Sequence, residues 1–230
     1  MKVFIVLLLS SVVAGKDYDI DCDNVNPEAK KFVDEGIPSA LVFMISKTTC
    51  PYCTRAKQTL KDIGFHEDDL NIVELDDFDA DFKSDIQDYN WCVTGGRTFP
   101  RVWANKQVVG GADNTKEGYY SGKLITLAYE ARLKRAAKEF VDTAVEKSGD
   151  NTYLLISKKG CPFCVMAEMC LKRMLIPANR MRVHDIKEWD THDQIKEYAG
   201  ELTGASSTPR IWLNKKLIGG YTELKQFMGC

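Results

Sequence analysis

This chain of 230 residues lacks any apolar run long enough to cross a bilayer, which takes about 20 residues. Its longest begins after Met1-Lys2, runs from Val3 to Leu9, and passes through small residues to Val12-Val13-Ala14-Gly15. A basic start, a short apolar stretch and small residues before a polar one predict a secretory signal peptide over 1–15, with cleavage after Ala14 or Gly15, the latter preferred. No membrane contact is expected of the mature form. Excess charge is also lacking. The formal net charge is −2, so nucleic acid is not an expected partner. There are only three histidines, His66, His184 and His192, without metal or triad spacing, and they are expected at the surface. The chain ends Phe-Met-Gly-Cys230 with no Lys-Asp-Glu-Leu tail, so secretion rather than retention in the endoplasmic reticulum is expected.

What is present is a repeat. Cys50-Pro-Tyr-Cys53 returns as Cys161-Pro-Phe-Cys164, Thr98-Phe99-Pro100 as Ser207-Thr208-Pro209, and Gly110-Gly111 as Gly219-Gly220. These landmarks lie 111, 109 and 109 residues apart. Upstream, Ala29–Asp34 resembles Ala137–Asp142 at a spacing of 108. The repeating unit is about 105 residues, a normal size for one hydrophobic core. The expected division is 1–15 signal peptide, 16–131 first domain and 132–230 second domain. A hydrophobic content of 44% with 28% charged residues is ordinary for folded domains. The acidic residues within 67–88 and the basic ones within 132–138 are expected to be solvated faces.

Continuously apolar runs, Ala40–Ile45 and Asn151–Ile156, precede the two C-x-x-C pairs and predict strands buried on both faces. Helical spacing follows over Pro51–Ile63 and Pro162–Leu175. Second strands are expected at Asn71–Leu75 and Met181–Ile186, helices at Phe78–Trp91 and Trp189–Leu202, and hairpins around Asn105-Lys106 and Asn214-Lys215. Each repeat then has the order β-α-β-α-β-β-α with a further helix leading in, an α/β domain with a mixed sheet. Lys116–Lys147 is expected to be helical through much of its length, with no Gly/Pro-rich linker, and the last helix to have about two turns.

Cys50 and Cys161 fall where a strand ends and a helix begins. Pro51 and Pro162 suit the first helical position, where the missing N–H costs no hydrogen bond. The free N–H groups of the first turn and the helix dipole favour thiolate over thiol. An ordinary cysteine is only about 3% thiolate at pH 7, and such sites bring its pKa to between about 3.5 and 7.5. Lys47 and Lys158, three residues upstream, add to the effect. Cys53 and Cys164, one turn deeper on the same face, are placed to attack a mixed disulfide formed at the first sulfur. The catalytic candidates are therefore Cys50, Cys53, Cys161 and Cys164. Cys170, nearly two turns beyond Cys164, is expected in the core without a catalytic role. Cys22, Cys92, Cys170 and Cys230 are left over. They permit two disulfides in any of three connectivities, or four buried thiols.

The sequence around Cys50, with Lys47 before it and Thr-Arg-Ala-Lys after it, then Thr-Gly-Gly-Arg-Thr-Phe-Pro-Arg-Val-Trp and a Gly-Gly pair, resembles glutaredoxin. The resemblance covers nearly the whole chain beyond residue 15, as two tandem domains. It implies two thioredoxin folds, each a mixed four-stranded sheet flanked by helices. The function it implies is a thiol–disulfide oxidoreductase with glutathione as co-substrate, acting on disulfide-containing or glutathionylated proteins. No metal is expected. By the same resemblance, Lys47, Tyr52 and Gln87 line a glutathione site, with Thr98, Phe99 and a cis Pro100 along its cysteinyl backbone. Asp113 and Asn114 would take its γ-glutamyl end. In the second repeat the corresponding residues are Lys158, Phe163, Thr208, Pro209, Thr222 and Glu223, with Lys196 in place of Gln87 and Ser206 in place of Arg97. Two alternatives remain: a secreted thioredoxin-fold binding module without redox activity, or a site that binds an iron–sulfur cluster, against which Pro51 argues. Zinc shared between two C-x-x-C pairs is opposed by each pair having a complete domain of its own.

Overall fold

A computed structural model describes residues 19–230. The expected signal peptide lies outside the described residues. The chain forms two compact units. One comprises the described residues up to Ala56 together with Asn71–Asn114, and the other Lys57–Leu70 together with Thr115–Cys230. No helix among the described residues is long and apolar enough to cross a membrane.

The elements follow the repeat. The first copy runs α1 (Pro27–Gly36), β1 (Val42–Ser46), α2 (Pro51–Ile63), β2 (Leu70–Glu74), α3 (Ala80–Thr94), β3 (Arg101–Ala104), β4 (Gln107–Gly110) and α4 (Ala112–Tyr120). The second runs α5 (Lys123–Glu146), β5 (Tyr153–Ser157), α6 (Pro162–Arg173), β6 (Met181–Asp185), α7 (His192–Thr203), β7 (Arg210–Leu213), β8 (Lys216–Gly219) and α8 (Tyr221–Met228). The sheet orders are β2-β1-β3-β4 and β6-β5-β7-β8. β5 is parallel to β6 and antiparallel to β7, and β8 is antiparallel to β7. β1 is antiparallel to β3 and β3 to β4. These are two thioredoxin-type α/β folds with mixed four-stranded sheets.

The apolar runs account for the inner strands, since every residue of β1 and of β5 is buried. Alternate residues face opposite ways. Phe43 and Ile45 join Ala29 and Val33 of α1, Ile86 and Tyr89 of α3, and Trp103 in one core. Leu154 and Ile156 do the same with Ala137 and Val141 of α5, Ile195 of α7, and Trp212. On the other face of the second sheet, Tyr153 and Leu155 pack with Ala167 and Leu171 of α6 and Leu224 of α8. Helices therefore cover both faces of the second sheet, and the buried strands β1 and β5 are apolar up to their last residues, Ser46 and Ser157.

Both hairpins turn on residues with positive φ, Asn105 (48°) with Lys106 (64°) and Asn214 (53°) with Lys215 (64°), the two left-handed positions that a type I′ turn needs. Beyond each, a bulge sets Val102 against Gly110 and Ile211 against Gly219.

Lys116–Lys147 is helical through much of its length as expected, in two helices, because Gly122 (φ 76°) adopts the left-handed conformation and starts α5 afresh. Two expectations are corrected. α6 stops at Arg173, since Leu175 has φ 60°. His184 is half-buried, its ring edge-on to Phe140 at 5.1 Å, and burial lowers its pKa.

The spare cysteines form two disulfides. Cys22 joins Cys92 of α3, with Cα atoms 5.6 Å apart, and Cys170 of α6 joins Cys230, with Cα atoms 5.8 Å apart. Cys170 is in the core as expected, but bonded.

Candidate functional site

Each C-x-x-C pair sits at the junction of an inner strand with the helix after it. The junction is fastened in the same way in both copies. The Cys50 N–H donates to the Lys47 carbonyl at 3.2 Å and the Cys161 N–H to the Lys158 carbonyl at 3.0 Å. The loop is tied to the neighbouring strand end by a carboxylate. Asp76 accepts from the Thr48 N–H at 2.8 Å, and Asp185 from the Lys159 N–H at 3.0 Å. Those backbone bonds hold both carboxyls below the usual carboxylate range, led at Asp76 by Thr48 and at Asp185 by Lys187, then Lys159. Sequence reasoning passed over Asp76 and Asp185. Their common spacing of 109 residues, the same as that of the two prolines, was the available signal.

The helix starts differentiate the two sulfurs of each pair. Cys50 and Cys161 are partly exposed, Cys53 and Cys164 buried, and all four are thiols. Burial on its own pushes Cys50 up. Hydrogen bonds from the Cys53 side chain and from the N–H groups of Cys53 and Tyr52, with the Lys47 charge, outweigh it and bring Cys50 below the ordinary thiol range. Burial pushes Cys53 up, and its interaction with Cys50 adds to this. The second pair repeats the split. Cys161 is lowered against burial by the Cys164 side chain, the N–H groups of Cys164 and Phe163, and the Thr208 side chain, while burial raises Cys164. The lysine expected to help Cys161 is thus replaced among its leading influences by a threonine hydroxyl. Lys158 contributes its backbone instead, its N–H reaching the Cys164 sulfur at 3.4 Å.

Across from each outer sulfur lies the carbonyl of the residue before a proline. Phe99-Pro100 and Thr208-Pro209 are both cis. The Cys50 thiol lies 3.8 Å from the Phe99 carbonyl oxygen and the Cys161 thiol 3.5 Å from that of Thr208. The Lys47 ammonium lies 4.8 Å from the centre of the Phe99 ring.

The structure places the other sequence candidates as follows. Tyr52 is exposed beside Cys50, with the Arg55 guanidinium 5.0 Å from its ring centre. Asp113 accepts from Arg55 at 2.5 Å, so an ion pair stands beside the Tyr52 ring. Asn114 turns back to accept from the Gly111 N–H at 3.1 Å. Gln87 donates to the Arg97 carbonyl at 3.1 Å, and Thr98 accepts from Arg101 at 3.4 Å. In the second copy a cleft of about 500 Å³ is bordered by Phe163, Thr208, Pro209, Tyr221, Thr222 and Glu223. Glu223 accepts from the Gly220 N–H at 2.7 Å, and its own and the Gly220 backbone N–H hold its carboxyl below the usual range. Lys196 lies 3.7 Å from Asp193. Among the described residues, no three His, Cys, Asp or Glu side chains gather where they could hold a metal ion.

The family model described as Glutaredoxin matches residues 42–109 and 154–218, more than half of the chain. The chain belongs to the glutaredoxin family. Among similar curated proteins, mitochondrial Glutaredoxin-2 of Pongo abelii is 34% identical over 119 residues, 51% of this chain and 71% of that protein. Mitochondrial Glutaredoxin-2 of Homo sapiens is 37% identical over 109 residues, 47% of this chain but only 63% of its own length. Glutaredoxin-1 of Homo sapiens is 35% identical over 98 residues, 43% of this chain and 91% of its own. Among solved structures, oxidized glutaredoxin 2 from Chlamydomonas reinhardtii is 36% identical over 45% of this chain and 94% of its own, with a TM-score of 0.40. A buckwheat glutaredoxin–glutathione complex is 30% identical over 45% of this chain and 89% of its own, also at 0.40. This glutaredoxin is a tandem one, and the C-x-x-C junction occurs in both copies. Its activity in general terms is that of a thiol–disulfide oxidoreductase.

Proposed function

We propose that the protein is a glutathione-dependent thiol–disulfide oxidoreductase in which Cys50 and Cys161 are the nucleophiles and Cys53 and Cys164 the resolving thiols. The observation that carries this reading is the same in both copies. The outer sulfur is the more acidic of its pair and faces the carbonyl before a cis-proline, while the inner sulfur is buried and less acidic. The outer thiolate attacks a sulfur of a glutathione mixed disulfide or of a protein disulfide. A new S–S bond forms as the old one breaks, and the displaced sulfur leaves as thiolate. With a glutathione mixed disulfide, a second glutathione thiolate then displaces the captured glutathione. With a protein disulfide, the inner thiol loses its proton and displaces the client, which has gained two electrons. Two glutathione molecules then reopen the enzyme disulfide and leave as their own disulfide.

The glutathione assignment rests on family membership and is supported in the first copy by the Phe99 carbonyl 3.8 Å from the Cys50 thiol, the Lys47 ammonium 4.8 Å from the Phe99 ring and the exposed Tyr52 beside them. The proposed route is through the secretory pathway. The disulfides Cys22–Cys92 and Cys170–Cys230 suit an oxidising compartment.

The test is turnover of a small glutathione mixed disulfide by the mature chain with glutathione as reductant. The expected result is activity lost in the variant carrying both Cys50→Ser and Cys161→Ser. An unchanged rate in that variant overturns the reading.

A further inference from the structure

Around their thiols the two copies differ in one coherent way. On the outer face of α2 the residues after Cys50 form a polar lattice. Arg55 pairs with Asp113 at 2.5 Å, and Gln58 donates to Asp62 at 2.7 Å. The matching positions on α6 are Met166 and Met169, and Asp113 is matched by Thr222. Tyr52 is matched by Phe163 and Ala112 by Tyr221, so an aromatic ring is gained and the hydroxyl is carried at the second position instead of the first. The Phe163 and Tyr221 rings stand 6.3 Å apart. Tyr221 is a wall shared by two depressions, the cleft along Thr208-Pro209 and a notch of about 110 Å³ bordered by Met166, Met169, Arg173 and the Cys170–Cys230 disulfide. Phe163 is 55% exposed and Met169 56%.

We propose that this shoulder of the second copy is a docking surface for an extended polypeptide carrying a disulfide, with an aliphatic or aromatic side chain next to its cysteine seated against Phe163, Met169 and Tyr221. The proposal rests on Cys161 exchanging disulfides, as argued above, and names the client class for that sulfur. Three features select this occupant. The patch borders the cleft that carries the Thr208 carbonyl, so what lies on it presents a sulfur to Cys161. Backbone beside Pro209 offers an extended chain a hydrogen-bonding edge. The notch beyond Tyr221 accepts a side chain, and methionines adapt to side chains of different shape. In the first copy the Arg55–Asp113 ion pair stands in the same place.

In the exchange, the Cys161 thiolate forms an S–S bond to one client sulfur as the client's own S–S bond breaks, and the other client sulfur leaves as thiolate. Cys164 gives up its proton to solvent and displaces the client. The client is reduced by two electrons, Cys161–Cys164 is oxidised, and two equivalents of a low-molecular-weight thiol, glutathione in the assay, restore it.

The experiment uses the whole mature chain with Cys50→Ser and Cys53→Ser, leaving only the second pair. Its substrates are two disulfide-linked peptides of equal length and charge, with Leu and Phe or with two Ser flanking the cysteine. Burying one apolar side chain predicts a kcat/KM at least about 10-fold higher for the apolar peptide. Adding Met166→Arg and Met169→Gln is expected to collapse that ratio toward one. The reciprocal chain, with Arg55→Met and Gln58→Met and the second pair replaced by serine, is expected to acquire a preference, which keeps the proposal testable if the methionine variant misfolds. Equal turnover of the two peptides by the second pair, or a preference untouched by the methionine substitutions, overturns it. If neither peptide is turned over, exchange at Cys161 has failed. The surface is then judged by fluorescence anisotropy with labelled peptides whose cysteine is serine: tighter binding of the apolar one supports it and equal binding overturns it.

Discussion

The sulfur of Cys161 lies 3.5 Å from the carbonyl oxygen of Thr208, and the side chain of the same threonine is among the groups that lower its pKa, after the Cys164 side chain and N–H. At Cys50 the corresponding help comes from the Lys47 charge. The two thiols are therefore tuned by different neighbours. Alkylation rates of the reduced protein followed against pH are expected to show one reactive sulfur per repeat, with a midpoint below that of an ordinary thiol. Lys47→Leu raises the Cys50 midpoint and leaves Cys161 alone, while Thr208→Val does the reverse. Identical responses of the two sulfurs to both substitutions would count against this account.

The disulfides are expected to contribute more to stability than any surface interaction. Cys22–Cys92 closes a separation of 70 residues and Cys170–Cys230 one of 60. Replacing either pair by alanine is expected to cost about 2–4 kcal/mol in denaturant unfolding. A loss below about 0.5 kcal/mol would show that the folded packing alone holds those segments.

A three-residue network recurs between the first and third helices of each copy. Lys30 bonds Asp34 at 2.7 Å and Tyr89 at 3.0 Å, and Tyr89 donates to Asp34 at 2.6 Å. Lys138, Asp142 and Tyr198 repeat it at 2.7, 2.9 and 2.9 Å. Tyr89→Phe is expected to cost about 1 kcal/mol, the usual net worth of such a hydrogen bond. Asp34 is held below the usual carboxylate range: burial raises it, and the Lys30 and Tyr89 hydrogen bonds more than reverse this. A depressed carboxyl stabilises the fold fully above the unfolded value of about 3.9 and loses that contribution as pH falls through the lower folded value. Acid unfolding curves of Asp34→Asn should therefore differ from the parent above pH 4 and converge with it at lower pH.

The hairpin lysines with positive φ occupy positions that glycine fills without steric cost. Lys106→Gly and Lys215→Gly are each expected to raise stability by up to about 1 kcal/mol, read from the shift of the urea midpoint. Destabilisation by both would contradict the turn geometry.

Much of this architecture was legible because the repeat printed it twice. The C-x-x-C pairs, the inner strands and the Asn-Lys hairpins carry strong local signals, and the elements fell within a few residues of expectation. The pairing of Cys22 with Cys92 was not legible, because a disulfide joins places that only the fold brings together. The break at Gly122 was hidden in a stretch with otherwise helical composition. Asp76 and Asp185 were overlooked for a different reason. They act on backbone N–H groups of a loop 28 and 26 residues away, which leaves no local pattern. Arg55 likewise could be found only by its reach to Asp113.

The disulfides sit at non-matching places in the two copies. Cys170 corresponds to Thr59 of α2, and Cys92 corresponds to Glu201 of α7. A hybrid made by exchanging α2 for α6 would carry Cys170 away from Cys230 and strand a lone thiol in each half. Although built to one plan, the two halves have ceased to be interchangeable parts.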